Sequence, residues 1–89
     1  METALEDTSL LLVLCHWPAD ADPTATARRL VESGLVACVN LLPSVQSVYR
    51  WQGAIETAAE VPLWMKTTTA HFLRLQAQLV AYSSPQMQV

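Results

Sequence analysis

Residues 36–67 read VACVNLLPSVQSVYRWQGAIETAAEVPLWMKT, and this stretch decides the fold. Val36 to Leu42 is an apolar run with β-branched content, closed by Pro43, which has no N–H for a ladder and so marks a break or a bulge. Val45 to Trp51 alternates in part, Gln52-Gly53 supplies a two-residue turn, and Ala54 to Thr67 runs back. The pattern predicts one long hairpin with a projecting tip. Pro62 lies within the returning arm, where a proline predicts an edge, a bulge or an arm in two pieces.

Upstream, Ser9 to His16 holds the run Leu10, Leu11, Leu12, Val13, Leu14, Cys15. It does not alternate, which predicts a central strand buried on both faces. Asp22-Pro23 then offers an N-cap acceptor followed by the residue that tolerates the first helical position. Ala27, Leu30, Val31 and Gly34 fall at helical spacing, and Gly34 suits a left-handed helix stop. Downstream, Thr67 to Thr69 offers capping hydroxyls, and Phe72, Leu75, Leu79 and Tyr82 predict a second helix to about Ala81.

The order is strand, helix, hairpin, helix: an α+β, ferredoxin-like β-α-β-β-α-(β) sandwich. The tail Ser83-Ser84-Pro85-Gln86-Met87-Gln88-Val89 is turn-like, so the last strand is expected to be short or missing. Met1 to Thr8 lacks a hydrophobic period and is expected to be a disordered lead-in to a single domain over residues 9–89. Both helices cover the same face of such a sheet. Strands apolar on both sides therefore predict that the other face meets further copies of the chain.

Composition agrees. In 89 residues, 52% are hydrophobic and only 15% charged, against about 25% charged in an average domain, which leaves too few charges to cover the surface. The net charge of −3 and the lack of a Lys/Arg cluster argue against nucleic acid and anionic membrane partners. The longest apolar run, Leu10 to Cys15, is far short of the roughly 20 residues of a membrane span. The acidic start is a poor secretory signal, and Cys15 and Cys38 read as free thiols, so a cytoplasmic location is expected.

Over Leu10 to about Tyr82 the chain resembles the CutA divalent-cation tolerance family. The motifs are Gly34-Leu35-Val36-Ala37-Cys38-Val39-Asn40, then Ser47-Val48-Tyr49-Arg50-Trp51-Gln52-Gly53 with Ile55-Glu56, and Glu60-Val61 leading to Lys66-Thr67-Thr68. The resemblance implies a tight homotrimer that exchanges long hairpins, a role in metal-ion response or copper tolerance, and no established enzymatic reaction. The family continues past the second helix with a Pro-Tyr-Glu-x-Pro-Glu type segment, a further strand and usually a terminal helix. This chain departs from that pattern, which puts full assembly in question.

Cys15 and Cys38 match positions where some members of that family have cysteines associated with copper binding. Thiolates are soft ligands suited to Cu(I) or Zn(II). The plainer reading, small buried hydrophobes, competes with it. His16 is a third metal candidate, although strand neighbours point to opposite faces, so it shares an ion with Cys15 only if the strand ends there. His71 has no partner at i+4 and reads as a surface residue. Glu56 and Glu60 are four residues apart on a strand, too far to share a proton, and read as a solvated hairpin face.

Tyr49, Trp51 and Trp64 suit either subunit packing or a ligand cleft, with Lys66 at a subunit boundary. Two glycines, Gly34 and Gly53, cannot build a phosphate loop. The first loop, Trp17 to Ala21, lacks the positioned Arg of an acylphosphatase-like enzyme. The reading is a non-enzymatic trimer for divalent-metal response that requires no cofactor and binds copper or a similar cation. The rivals are a small-molecule-sensing trimer, resembling the nitrogen-regulatory signal proteins, with a cleft of Tyr49, Trp51 and Lys66, and a structural assembly module.

Overall fold

The computed structural model describes residues 9–82. The lead-in and the final-strand expectation lie outside those residues. The elements are β1 (Leu10–Pro18), α1 (Pro23–Glu32), β2 (Cys38–Leu41), β3 (Val45–Trp51), β4 (Ala54–Thr68) and α2 (Thr69–Tyr82). They form the α+β, ferredoxin-like arrangement expected from the sequence, extended to 50 × 25 × 20 Å by its hairpin.

One strand organises the sheet. β4 pairs antiparallel with β1 along one edge, from Pro18↔Glu60 to Leu10↔Thr68. Its other edge pairs with β2, from Leu41↔Leu63 to Cys38↔Lys66, and then with β3, from Val45↔Glu60 to Trp51↔Ala54. The hairpin closes at Gln52 and Gly53, whose φ values of 50° and 83° are those of a tight hairpin turn and favour glycine at the second position.

Between Leu41↔Leu63 and Val45↔Glu60 the first arm spends four steps where β4 spends three. Pro43 thus lies in a one-residue bulge, and beyond it the first arm turns opposite side chains to a given face. β4 itself is continuous across Pro62, not two pieces. The Leu42 N–H donates to the Pro62 carbonyl at 3.0 Å. A strand residue points its N and O to the same side, so the donor that Pro62 lacks would have faced the bulge, where the ladder is already interrupted.

Asp22 caps α1, its side chain accepting from the Ala25 N–H at 3.2 Å, with Pro23 opening the helix. Thr26, Ala27 and Leu30 are its buried face, while Val31 is exposed; the covered stripe lies one position round from the one drawn on the sequence. Gly34 follows at φ 79°. Leu75 is buried on α2, with Leu79 and Tyr82 against the same core.

That core gathers Trp17, Leu30, Leu35, Val36, Leu63, Met65 and Leu75 between the helices and one face of the sheet. Trp17 is buried, and its Nε1–H donates to the Ala21 carbonyl at 3.0 Å, pinning the end of β1.

β1 departs from expectation. Its burial alternates: Leu11, Val13 and Cys15 are half-buried, whereas Leu10, Leu12 and Leu14 are 83%, 56% and 60% exposed. Among the described residues it pairs only with β4 and is an edge strand. The helices cover one face, and the uniform hydrophobicity records a second face that this single chain does not cover.

Leu63→Ala empties a fully buried site and is expected to lower stability by about 2–5 kcal/mol, whereas Val31→Ala should stay within about 0.5 kcal/mol. Urea midpoints of the two variants check this; equal losses would mean the core is drawn wrongly.

Candidate functional site

The ladder assigns every strand side chain to a face. On the helix-free side lie Leu10, Leu12, Leu14 and His16 of β1, opposite Thr68, Lys66, Trp64 and Pro62 of β4. Cys38 and Asn40 of β2 join them by pairing with Lys66 and Trp64. Because of the Pro43 bulge, Ser47, Tyr49 and Trp51 of β3, opposite Ala58, Glu56 and Ala54, share that side. Without the extra residue they would point the other way.

Cys15 and Cys38 therefore face opposite sides of the sheet. Cys15, opposite Leu63, packs against the core, whereas Cys38 lies opposite Lys66 on the helix-free side. One chain does not bring them to a common ion. Burial pushes the Cys15 thiol above its ordinary pKa of 9.0, and the negative charge of Glu60 adds to the rise. Cys15 is thus held as a protonated thiol rather than as a ligand-ready thiolate. His16 shares the helix-free face with Cys38. The four residues from Pro62 to Lys66, their partners on β4, nevertheless separate them by about 13 Å along the strand.

Tyr49, Trp51 and Lys66 also share a face without converging. Ten residues of β4 divide Glu56, opposite Tyr49, from Lys66, which is about 33 Å of strand. Trp51 lies still farther out, opposite Ala54. A cleft using all three needs the hairpin tip of one chain beside the sheet of another.

What the structure does bring together is a polar group at one end of the leucine row. Glu60 sits where β1 ends and β3 begins, flanked by Pro18 and Val45. Its carboxylate is only 15% exposed; Oε1 accepts the Ser47 hydroxyl at 2.5 Å and lies 3.6 Å from Nδ1 of the half-exposed His16. The expectation of a solvated Glu60 is corrected: the carboxylate lies within a three-strand junction, not along a free ribbon. The sequence signal was the Pro43 break, since only its one-residue shift places Ser47 beside Glu60. Glu56, out on the ribbon, is exposed as expected. Among the described residues no three His, Cys, Asp or Glu side chains cluster as a metal site.

His71 opens α2 half-buried, its Nδ1 2.8 Å from the Thr68 hydroxyl, a capping contact rather than a free surface ring. With Leu10, Gly34, Lys66 and Thr68 it borders a shallow hollow of about 200 Å³ at the end of the sheet.

Comparison with known proteins follows the same lines. Residues 11–88 match the family model described as CutA1 divalent ion tolerance protein. The divalent-cation tolerance protein CutA of Pectobacterium atrosepticum is 37% identical over 82 residues, covering 89% of this chain and 74% of that relative. Among solved structures, the PII-like protein CutA from Nostoc sp. PCC 7120 superposes with a TM-score of 0.74 at 38% identity, covering 81% of this chain and 67% of that one. The periplasmic divalent cation tolerance protein CutA from Archaeoglobus fulgidus gives 0.78 at 28% identity, covering 86% and 74%.

The raised Cys15 pKa has a consequence for stability. The folded state holds this proton more tightly than the unfolded chain, so the stabilisation is complete below the unfolded thiol pKa and is lost as pH rises through the folded value. Urea midpoints of the parent chain should therefore fall more steeply above about pH 9 than those of Cys15→Ala. Parallel curves would show that Cys15 is not held protonated by the fold.

Proposed function

Since the chain belongs to the CutA1 divalent ion tolerance family, we propose that it is a non-enzymatic homotrimer that binds divalent metal ions, copper among them, in a metal-tolerance response. The observation that carries the assembly is the helix-free face. Leu10, Leu12 and Leu14 stand in a row beside Trp64, itself 43% exposed. Burying three leucines contributes roughly 5–9 kcal/mol. Association costs about 4–15 kcal/mol, so those side chains alone do not hold a complex together. The hairpin supplies more: Val45, Val48, Tyr49, Trp51 and Ile55 are exposed along a ribbon that reaches beyond the helices. An exchanged hairpin lets each chain cover the row of another.

For the metal, Cys38 and His16 lie on the face where copies meet, and Cys15 lies behind it in the core. Free thiols suit a reducing cytoplasm, the location we propose; no helix among the described residues is long and apolar enough to cross a membrane. The Archaeoglobus relative, by contrast, is named periplasmic.

A second reading draws on the relative named PII-like and on the shared face of Tyr49, Trp51 and Lys66. In an exchanged-hairpin trimer these residues meet between subunits and could line a small-molecule cleft. Thermal shifts with small anions in the absence of metal would favour it.

Light scattering is expected to give three times the 9.8 kDa chain mass, and Leu12→Glu to give the monomer by placing a charge in the covered row. A monomeric parent chain would refute the assembly. Copper titration of the parent and of Cys15→Ser/Cys38→Ser tests the ligands: uptake that disappears with both thiols assigns the ion to them, and no uptake by the parent removes the metal reading.

A further inference from the structure

We infer that Lys66 of one copy and Glu56 on the hairpin of another form an ion pair across the subunit boundary, and that this pair sets where an exchanged hairpin lands. The inference rests on the assembly reading and names a contact which that reading leaves open. Three observations carry it.

The first is the charge inventory of the side that the copies cover. Among the described residues, Lys66 is the one lysine or arginine on the helix-free side of the sheet. Arg28 and Arg29 belong to α1, Arg74 to α2, and Arg50, opposite Ile55, to the other side of the ribbon. Two carboxylates share the side of Lys66, those of Glu56 and Glu60. Glu60 is engaged within its own chain by the Ser47 hydroxyl and the His16 imidazole. One cation and one anion are left, Lys66 and Glu56, both exposed and neither in a salt bridge among the described residues.

The second is distance. Ten residues of β4, about 33 Å of strand, lie between the two, so a single chain cannot join them. Another copy can. A charge taken out of water is costly unless it is paired, and like charges brought together across a boundary oppose association. An assembly that covers this side is therefore favoured when it seats Glu56 against Lys66.

The third is the company each residue keeps. Glu56 stands opposite Tyr49 on the ribbon, with Trp51 and its partner Ala54 next along the same face. Lys66 stands opposite Leu12, the middle of the leucine row, with Trp64 next along β4. A hairpin that lays Tyr49 and Trp51 on the row of another chain thus brings Glu56 to Lys66. In a closed ring each boundary runs head to tail and holds one Lys66 and one Glu56, so no charge is left over. Apolar contact is non-directional, and the ion pair supplies the specificity it lacks.

The test follows mass by light scattering on dilution for the parent chain, Lys66→Glu, Glu56→Lys and the double reversal. Far-UV circular dichroism checks that each variant folds, and both positions are exposed in the chain. Each single reversal is expected to raise the concentration at which the assembly dissociates by at least about tenfold, because it sets like charges together. The double reversal should return it to within about threefold of the parent, the coupling that marks a direct pair. Lys66→Gln and Glu56→Gln, and the two combined, give the same comparison if a reversal does not fold. Lys66 is also the only lysine in the sequence, so carbodiimide coupling of amine to carboxylate reads its neighbour directly. A peptide joining Lys66 to Glu56 is expected only in the covalent dimer band. Single reversals that leave dissociation unchanged, a double reversal no better than the singles, or Lys66 coupled to Glu60 or to no carboxylate overturn the pair and leave the assembly standing. A monomeric parent overturns both.

Discussion

β4 is the constraint on which the rest of the structure depends. It is fifteen residues long and is hydrogen-bonded along both edges, to β1 on one side and to β2 and then β3 on the other. Because side chains alternate with a period of two, these three ladders settle the face on which every strand residue stands. The helices choose one face, and Trp17, Leu63, Met65 and their neighbours close the core there. All remaining chemistry is left on the opposite face or on the ribbon.

That division explains a composition otherwise hard to reconcile with a lone domain of this size. One face of β1 and β4 is a packed core; the other is a leucine row beside a tryptophan, in water only while the chain is alone. Natural sheets cover or charge such surfaces, because apolar strands beside an open edge recruit other chains. The hairpin answers both needs: it is too long to be buried by its own helices and carries apolar side chains where a second copy can use them.

The Pro43 bulge links packing to chemistry. By adding one residue to the first arm it sends Ser47 to the face of Glu60, and Ser47 then holds a carboxylate that the three-strand junction has taken out of water. Burying a carboxylate is costly unless it is hydrogen-bonded or its charge is matched, and here the Ser47 hydroxyl donates to it and the half-exposed His16 imidazole stands 3.6 Å away.

Much of this was written in the sequence. Gln52-Gly53 and the runs around it specified the hairpin, Asp22-Pro23 the start of α1, Gly34 its stop, and the spacing of Leu75, Leu79 and Tyr82 the second helix, because turns, caps and helical periods are local properties of the chain. The excess of apolar over charged residues agrees with the leucine row that the single chain leaves exposed. Facing and register were not legible. Leu10 to Cys15 is apolar at every position, so no period told which side each residue takes, and only pairing with β4 placed Cys15 in the core and His16 outside it. Cys38, opposite Lys66, stands on the other side from Cys15 for the same reason. The company kept by Glu60 depended on a one-residue shift at Pro43 and on two partners, Ser47 thirteen residues and His16 forty-four residues before it in the chain. Contacts of that range belong to the tertiary structure, because local sequence fixes the conformation of a segment but not the neighbours it meets.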